Sequence, residues 1–351
     1  MANFQNATLA SFNTTLLNDT SLCTLQTCPL VLDGVPLAHL SYLPSVAGNA
    51  LYAGIFGLFF CLQVLFGVRY RTVGYLIGMF CGLLLEIVGY VGRVMMNSDP
   101  FINANFIMYL CCLTIAPAFL TASIYLCLSR IVVIYSESAA RFKPKTYTLF
   151  FIVCDIISLT LQGAGGGVAA TATTPSMDTT GKDLLIAGLA FQVVSLSCFA
   201  TVCFDLYLAY RKLSDDQLNQ SFGLMRSTWK FRAFLWTLAG ATFFIFVRSC
   251  YRCAELSQGF HSSLANSEIT FMILEGVMIV LATFLLTALH PGLAMRRDGW
   301  AAADWNAGRQ KSSKPRRGRW FWSKSKREKG LEPKIEEKSS EELPRSYGMQ
   351  C

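Results

Sequence analysis

Seven long runs of apolar residues, separated by short polar segments, dominate this chain of 351 residues. As a helix, each run is long enough to cross the roughly 30 Å of hydrocarbon in a bilayer. The apolar residues follow one another without alternating at every second position, which argues against the strands of a membrane β-barrel. The pattern predicts an all-α, polytopic membrane protein with seven transmembrane helices. The predicted spans are Ser45–Val68, Gly74–Met96, Phe106–Tyr135, Tyr147–Gly167, Asp183–Tyr210, Phe231–Leu256 and Ile269–His290.

These spans divide the chain into an N-terminal tail of residues 1–44, a helical membrane domain of residues 45–292 and a C-terminal tail of residues 293–351. The composition agrees with this division, because 53% of the residues are hydrophobic and 15% are charged. Soluble domains have about 25% charged residues. The mean hydropathy of +0.42 also favours a membrane protein.

Lysine and arginine lie almost entirely on one side of the predicted bundle. Residues 1–44, 97–105 and 257–268 contain none, whereas the segments on the opposite side are rich in them. By the positive-inside rule, this asymmetry predicts that the N-terminus is outside and the C-terminus is cytosolic. The formal net charge of +8 then describes a cytosolic surface beside anionic lipid, and no nucleic-acid partner is expected.

The N-terminal tail has the features of an exofacial segment. It lacks a basic stretch followed by an apolar core, so no cleaved signal peptide is expected. A fourth sequon, at Asn219, falls in a predicted cytosolic loop, where the glycosylation machinery does not reach. The only cysteines of the tail, Cys23 and Cys28, are expected to form a disulfide in an oxidising compartment. The predicted glycosylation sites in the tail are Asn6, Asn13 and Asn18.

The C-terminal tail is strongly basic between Arg309 and Lys329 and carries the aromatic run Trp320-Phe321-Trp322. Basic residues with interleaved aromatics suit the surface of a membrane that contains anionic lipid, at about 1 kcal/mol for each cation. A solvated basic tail that only enforces the topology explains the composition equally well. Both interpretations remain open from the sequence.

The sixth span contains Arg248, Arg252 and Glu255 in a stretch that is otherwise apolar. On a helix these three positions form one narrow stripe. A charge at the centre of a bilayer costs about 2.5–3.5 kcal/mol even on insertion scales, so such a stripe is expected to face the interior of a helix bundle. The sequence therefore predicts a charged cluster that is enclosed by the other spans.

Two other spans supply partners for this stripe. In the second span, Glu86 is too deep to reach water and is expected to pair with Arg248 or Arg252, whereas Arg93 lies near the outer end. Arg93 either extends to the interface or joins the cluster. Glu268 precedes the seventh span, and Glu275 lies two turns inside it on the same face.

Other polar or helix-distorting residues inside the spans are secondary candidates. Pro117 lies in the middle of the third span, where it frees a backbone carbonyl for a partner on a neighbouring helix. The glycines at 163 and 165–167 favour close helix packing, with a lining role as the alternative. The remaining secondary candidates are Tyr90, Tyr125, Asp155, Gln162 and Gln192.

The sequence lacks the motifs that are typical of several functional classes. No G-x-x-x-x-G-K-[ST] phosphate-binding motif occurs, so no ATP-driven pump of that type is expected. The three histidines, His39, His261 and His290, are too few and too scattered for a metal centre, and no cofactor is expected. The seventh span has no lysine to hold retinal, and the signature motifs of G-protein-coupled receptors are missing. The chain is therefore not expected to be an enzyme.

An ordered set of motifs over about residues 42–292 resembles the fungal RTA-like proteins, the seven-helix lipid-translocating exporter family. Two positions depart from that family's pattern, since Glu275 stands where aspartate is usual and Ser267 where histidine is common. The matching motifs are Tyr42-x-Pro44-Ser45 with Asn49 and Phe56, Glu86-x-x-Gly89-Tyr90-x-x-Arg93, Ala116-Pro117-Ala118 with Tyr125, Asp155 with Gln162 and Gly163, Gly188-Leu189 with Gln192, Arg248-x-x-x-Arg252-x-x-Glu255, Gly259, Glu268, and His290-Pro291-Gly292.

The resemblance implies a fungal membrane protein that moves amphipathic lipids, such as sphingoid long-chain bases or sterol-like compounds, or protects against them. The plasma membrane is the expected location, with secretory or endosomal membranes as the alternative. In the first hypothesis the chain is an ATP-independent exporter that receives the lipid amine on its buried carboxylates, while Arg248 and Arg252 keep those carboxylates charged. The second is a seven-helix lipid sensor that signals at its cytosolic face. The third is a charge cluster that only locks the bundle. The carboxylates offered to the amine are Glu86, Glu255, Glu268 and Glu275.

Overall fold

A computed structural model of the protein describes residues 23–304, apart from residues 26, 33–34, 37, 39, 41, 137–139, 173, 215–216 and 259–266. The predicted glycosylation sites at Asn6, Asn13 and Asn18 lie outside the described residues. So does the basic segment that was considered for contact with anionic lipid.

Seven helices are long and apolar enough to cross a membrane, which confirms the predicted fold class. An eighth helix, α8, covers Pro291–Ala302, and a short helical segment at Gly223–Ser227 precedes the sixth spanning helix. The spanning helices are α1 (Val46–Tyr70), α2 (Val73–Ser98), α3 (Asn103–Tyr135), α4 (Pro144–Ala170), α5 (Pro175–Arg211), α6 (Trp229–Ser257) and α7 (Glu268–Ala288).

Helix α5 begins well before the predicted start at Asp183. Its first turn has a proline at the position where a missing N–H costs nothing, and the Thr174 side chain caps the helix by accepting from the Met177 N–H. The hydroxyls of Thr179 and Thr180 donate to backbone oxygens one turn earlier. Local capping thus extends this helix beyond its apolar part.

Glycines allow two pairs of neighbouring helices to approach closely. A Cβ atom on Gly89 of α2 would lie 2.6 Å from Leu113 Cδ2 on α3, and one on Gly165 of α4 would lie 2.4 Å from the Leu185 nitrogen on α5. At Gly165 the neighbouring atoms are backbone, so no larger residue fits, whereas at Gly89 the Leu113 side chain would have to move. In the glycine run of α4, Gly165 therefore serves helix packing, as close-packed membrane helices require.

We call the end of the bundle where α1 begins the N-terminal side. There, β1 (Val31–Leu32) pairs with β2 (Val35–Pro36) in an antiparallel ladder. A disulfide joins Cys23 to Cys28, with 5.5 Å between their Cα atoms. Leu32, Ala38 and Phe101 pack around this disulfide in a small apolar cluster.

We call the opposite end, where α7 ends, the C-terminal side. There the His290 Nδ1 accepts a hydrogen bond from the Gly292 N–H and caps α8. Arg130 at the end of α3 pairs with Asp304 at 3.0 Å, and its guanidinium lies 4.2 Å from the ring centroid of Trp300. Helix α8 is thus fastened to α3, a contact that the sequence did not predict.

Candidate functional site

The charged stripe of α6 faces the interior of the bundle. Arg248, Arg252 and Glu255 are 0%, 1% and 6% exposed. They lie next to α3 and α7, and the contacts they make there join the three helices through one set of polar side chains. We call Arg248, Arg252, Glu255 and Glu275 the arginine network.

Arg248 connects α6 to α7. Its Nη2 donates to Glu275 Oε1, and Glu275 is 1% exposed. Glu275 lies in a π-helical segment of α7, Met272–Val277. Such segments are rare and occur often at functional sites.

Arg248 also connects α6 to α3, because its Nη2 donates to the backbone oxygen of Leu113. That oxygen lies one turn before Pro117, which has no N–H to donate to it. The proline thus frees a carbonyl for a partner on a neighbouring helix, as the sequence predicted, and Arg248 is that partner.

Arg252 is held by two carboxylates and a hydroxyl. Its Nη1 donates to Glu255 Oε2 on the same helix, and its Nε lies 3.8 Å from Glu275 Oε2. Its Nη2 donates to Thr114 Oγ1 over 3.3 Å. The positive charges of Arg248 and Arg252 are therefore balanced by the negative charges of Glu255 and Glu275.

The predicted pairing of Glu86 with Arg248 or Arg252 was wrong. Glu275 and Glu255 occupy that place, because the π-helical segment of α7 brings Glu275 against both arginines. Glu86 is 1% exposed, and among the described residues it has no cationic nitrogen within 4.0 Å. Its Oε1 has no hydrogen-bond partner there either.

Arg93 does not extend to the interface, since it is only 1% exposed. Its Nε donates to Asn49 Oδ1 over 3.1 Å, and its Nη2 donates to the hydroxyl of Tyr42 over 2.9 Å. The Phe271 ring lies over the guanidinium, 3.7 Å from its carbon to the ring centroid, and the Tyr109 centroid lies 5.1 Å away. Within the described part of the chain, no carboxylate pairs with this arginine.

Glu268 lies apart from the arginine network, at the N-terminal side. Its Oε1 accepts a hydrogen bond from the Ser45 N–H over 2.6 Å, and Ser45 in turn caps α1 by accepting from the Gly48 N–H. Glu268 therefore ties the start of α7 to the start of α1. Its described contacts are those of a positioning residue.

Tyr90 lies one helical turn from Glu86, on the face of α2 that packs against α1. Its ring centroid is 5.2 Å from that of Tyr52 and 5.6 Å from that of Phe56. Its hydroxyl is buried and has no hydrogen-bond partner among the described residues. Glu86 and Tyr90 thus place two unpartnered oxygens in the bundle interior.

The other secondary candidates form a separate polar seam where α3, α4 and α5 meet. Thr121 donates to Asp155 Oδ2 over 3.0 Å, and the Gln162 amide donates to Ser158 Oγ and to Gln192 Oε1. The ring of Tyr125 packs on Phe151 and Phe199. Among the described residues, no hydrogen bond or ion pair links this seam to the arginine network.

Several partners in the site were not among the predicted site residues, although Tyr42 and Asn49 belong to the motifs shared with the family. Asn49 is fully buried in α1, and a polar residue inside an apolar run is a signal that could have identified it. Tyr42 precedes the first span and belongs to one of the motifs shared with the family, whereas Tyr109 and Phe271 around Arg93 carry no signal of that kind, because aromatic residues are common throughout the spans. Their role depends on how the helices are rotated against one another.

The sequence is similar to a known protein family and to several yeast proteins. Residues 79–298 match the family model described as RTA1 like protein. The sphingoid long-chain base transporter RSB1 of Saccharomyces cerevisiae is 31% identical over 280 residues, covering 72% of this chain and 73% of that protein. Protoporphyrin uptake protein 1 of the same yeast is 29% identical over 213 residues, covering 60% and 66%. No solved structure matches the chain.

Proposed function

Because this chain belongs to the family of RTA1-like proteins, we propose that it transports amphipathic lipids carrying a cationic amine, of the sphingoid long-chain base type, across the membrane. The relative named as a sphingoid long-chain base transporter supports the class of substrate. We also propose that transport uses no ATP hydrolysis by this chain, whose sequence has no phosphate-binding loop, and that it protects cells from toxic amphiphiles.

The observation that carries this proposal is the carboxyl group of Glu86, which is buried in the bundle without a cationic partner among the described residues. An ammonium group has three N–H donors and one positive charge. It complements both the Glu86 carboxylate and the unpartnered hydroxyl of Tyr90. A lipid amine at this place would supply the charge that no described side chain supplies.

The donors around Glu86 fit the rest of the headgroup. A sphingoid base carries hydroxyl groups beside its amine, and hydroxyl oxygens accept hydrogen bonds. Arg248 Nε and Nη1 and Arg252 Nε are buried donors without a hydrogen-bond partner in the described part of the chain. Buried carboxylate acceptors and guanidinium donors together match a headgroup that contains both an amine and hydroxyls.

In this proposal the N-terminal side faces outward and the C-terminal side faces the cytosol of a cell whose plasma membrane holds the protein. The distribution of lysine and arginine along the sequence supports this orientation. Export then carries the amine from the basic side of the bundle to the side that bears Arg93 and Glu268.

A second candidate function is a lipid sensor, and the fastening of α8 to α3 favours it. Arg130 joins the two helices through Asp304, the Trp300 ring and the Trp300 backbone oxygen. Such a contact at the C-terminal side is suited to report a change in α3 to a cytosolic partner.

Reconstitution separates these functions. Proteoliposomes that contain only this protein should move a fluorescent sphinganine between leaflets faster than empty liposomes, and Glu86→Gln should abolish the difference. Asp155→Asn, a matched change in the separate polar seam, controls for the general effect of replacing a buried carboxyl group by an amide. Binding without movement would favour the sensor, and neither binding nor movement would reject both candidates.

A further inference from the structure

We propose that Glu86 binds a proton when the site is empty and exchanges that proton for the amine of the lipid, so that the protein is a proton–amine antiporter. The inference rests on the proposed function for the amine and deepens it by naming the driving force. It is carried by the position of Glu86 and by the charges around it.

The first step is the count of charges. Arg248 pairs with Glu275, and Arg252 pairs with Glu255 and lies 3.8 Å from Glu275. These four residues are electrically neutral as a group. Glu86 is a fifth titratable residue, buried and within electrostatic reach of Arg248, Arg252 and Glu275, so a deprotonated Glu86 gives the cluster a net negative charge.

The second step considers every element that faces Glu86. Helix α6 presents Arg248 and Arg252, which attract a negative charge there, and α7 presents Glu275, which repels it. The groups from α2 and α3 are neutral, namely Tyr90 and Cys112. Arg93 is held on the other side of Tyr90 by Asn49, Tyr42 and Phe271.

The third step is the cost of that charge. A buried ionised carboxylate without a close cation is far more expensive than a buried neutral carboxylic acid, so such groups take up a proton instead. Glu86 is 1% exposed and its Oε1 has no described hydrogen-bond partner. A proton on Glu86 leaves the whole cluster neutral.

The exchange conserves charge. A protonated amine enters, the Glu86 O–H bond breaks, the proton leaves to solvent, and the carboxylate forms a charge-assisted hydrogen bond with the ammonium. One positive charge replaces another, so the cluster stays neutral in both states. Reprotonation of Glu86 from the acidic side then releases the amine. A proton gradient across the membrane can therefore drive export.

The experiment begins with purified protein in detergent and no lipid substrate. Infrared spectroscopy should show the C=O band of a protonated carboxylic acid that is absent from Glu86→Gln. Asp155→Asn assigns any band that belongs to the buried carboxyl of the polar seam. If Glu86→Gln does not fold, Glu86→Asp should shift the band, because the carboxyl moves by one methylene. A spectrum without a Glu86 band would overturn the proposal.

The second measurement adds sphinganine in a weakly buffered solution with a pH indicator. About one proton should be released for each amine bound, and the dissociation constant should rise by up to about tenfold for each unit of acidification, as linkage to one proton requires. Binding without proton release would overturn the exchange and leave the proposed function intact. No binding, with the infrared band present, would reject the proposed function and the exchange together while leaving the proton on Glu86.

Discussion

Arg248 donates a hydrogen bond to the backbone oxygen of Leu113, which Pro117 leaves without a donor in its own helix. The same Nη2 atom pairs with Glu275. One guanidinium therefore holds α3, α6 and α7 together at the level where α3 lacks a helical hydrogen bond. The ion pair between Arg248 and Glu275 and the helical hydrogen bond that Pro117 removes look unrelated in the sequence, but in the fold the same guanidinium takes part in both sites.

The pairing of Arg248 with Glu275 can be tested by rescue. Arg248→Ala leaves Glu275 and the Leu113 oxygen without their partner, and we expect a loss of about 3–5 kcal/mol of stability. Adding Glu275→Gln should recover part of that loss, because it removes the unpartnered charge, whereas adding Glu86→Gln should not. Thermal unfolding of the purified variants in detergent measures the loss of stability in Arg248→Ala and its recovery in each double variant. Equal rescue by Glu86→Gln would favour the pairing that the sequence predicted.

The aromatic surroundings of Arg93 predict that lysine is a poor substitute there. The guanidinium lies over the Phe271 ring and donates to Asn49 and Tyr42 at once, which an ammonium does not reproduce. We expect Arg93→Lys to cost about 1–2 kcal/mol, since the cation–π contact is desolvated. The exposed Arg69 provides the control, and Arg69→Lys should leave the unfolding temperature unchanged. Equal effects at both positions would contradict the prediction.

His290 predicts a dependence of stability on pH. Burial lowers the pKa of His290 from 6.5 to about 3. The unfolded chain then binds a proton that the folded chain excludes, so this contribution is complete above pH 6.5 and is lost as the pH falls from 6.5 towards 3. The loss is about 1.4 kcal/mol for each pH unit in that window.

His290→Asn provides the matched variant, because asparagine also caps helices and does not titrate. Unfolding temperatures measured at pH 7.5 and pH 5 should differ less for His290→Asn than for the unmodified protein. Identical differences for the two proteins would show that His290 does not contribute to the acid sensitivity.

The fold was largely predictable because the length of each apolar run can be read directly from the local sequence. Each apolar run became a helix, and the stripe formed by Arg248, Arg252 and Glu255 lies in the interior. The extension of α5 was missed because capping by Thr174 lies outside the apolar run. The ion pair of Asp205 in α5 with Arg141, at 3.1 Å, was also not predicted, because it joins α5 to the segment between α3 and α4.

The partners within the site were less predictable because they depend on helix rotation. The sequence offered three buried carboxylates for two arginines, and the choice between Glu86 and Glu275 was decided by the π-helical segment Met272–Val277. Nothing in the pattern of apolar residues marks that segment. The pairing that results leaves Glu86 without a cation, which is the feature on which the proposed function depends.

The orientation of the chain stays a prediction, and Asn219 provides a sharp test of it. Its Nδ2 donates to the Val133 oxygen at the end of α3, and its backbone oxygen accepts from Arg226. A glycan on Nδ2 would break the first contact. We expect glycosidase treatment to lower the mass of the protein through the N-terminal tail, and Asn219→Gln to leave the glycosylated mass unchanged. A glycan found on Asn219 would overturn the assignment of the cytosolic side.

The last prediction separates the carboxyl group that binds substrate from those that hold the bundle together. Glu86→Gln replaces a side chain that has no cationic partner among the described residues by a neutral one of the same shape, so abundance and unfolding temperature should change little. Glu275→Gln removes a negative charge that pairs with Arg248 and lies 3.8 Å from Arg252. We expect this variant to have lower abundance and a lower unfolding temperature.

Glu86→Gln should change stability little but should impair function strongly. An amide at position 86 cannot form the charge-assisted hydrogen bond to an ammonium, which is worth about 1.5–3 kcal/mol, or roughly ten- to a hundredfold in affinity. Cells that carry Glu86→Gln at normal abundance should therefore lose protection against a toxic long-chain base, as judged by growth on that lipid. Full protection at normal abundance would remove Glu86 from the site. Glu255 would then be the carboxylate to test next, because its partner Arg252 has a second carboxylate, Glu275, within 3.8 Å.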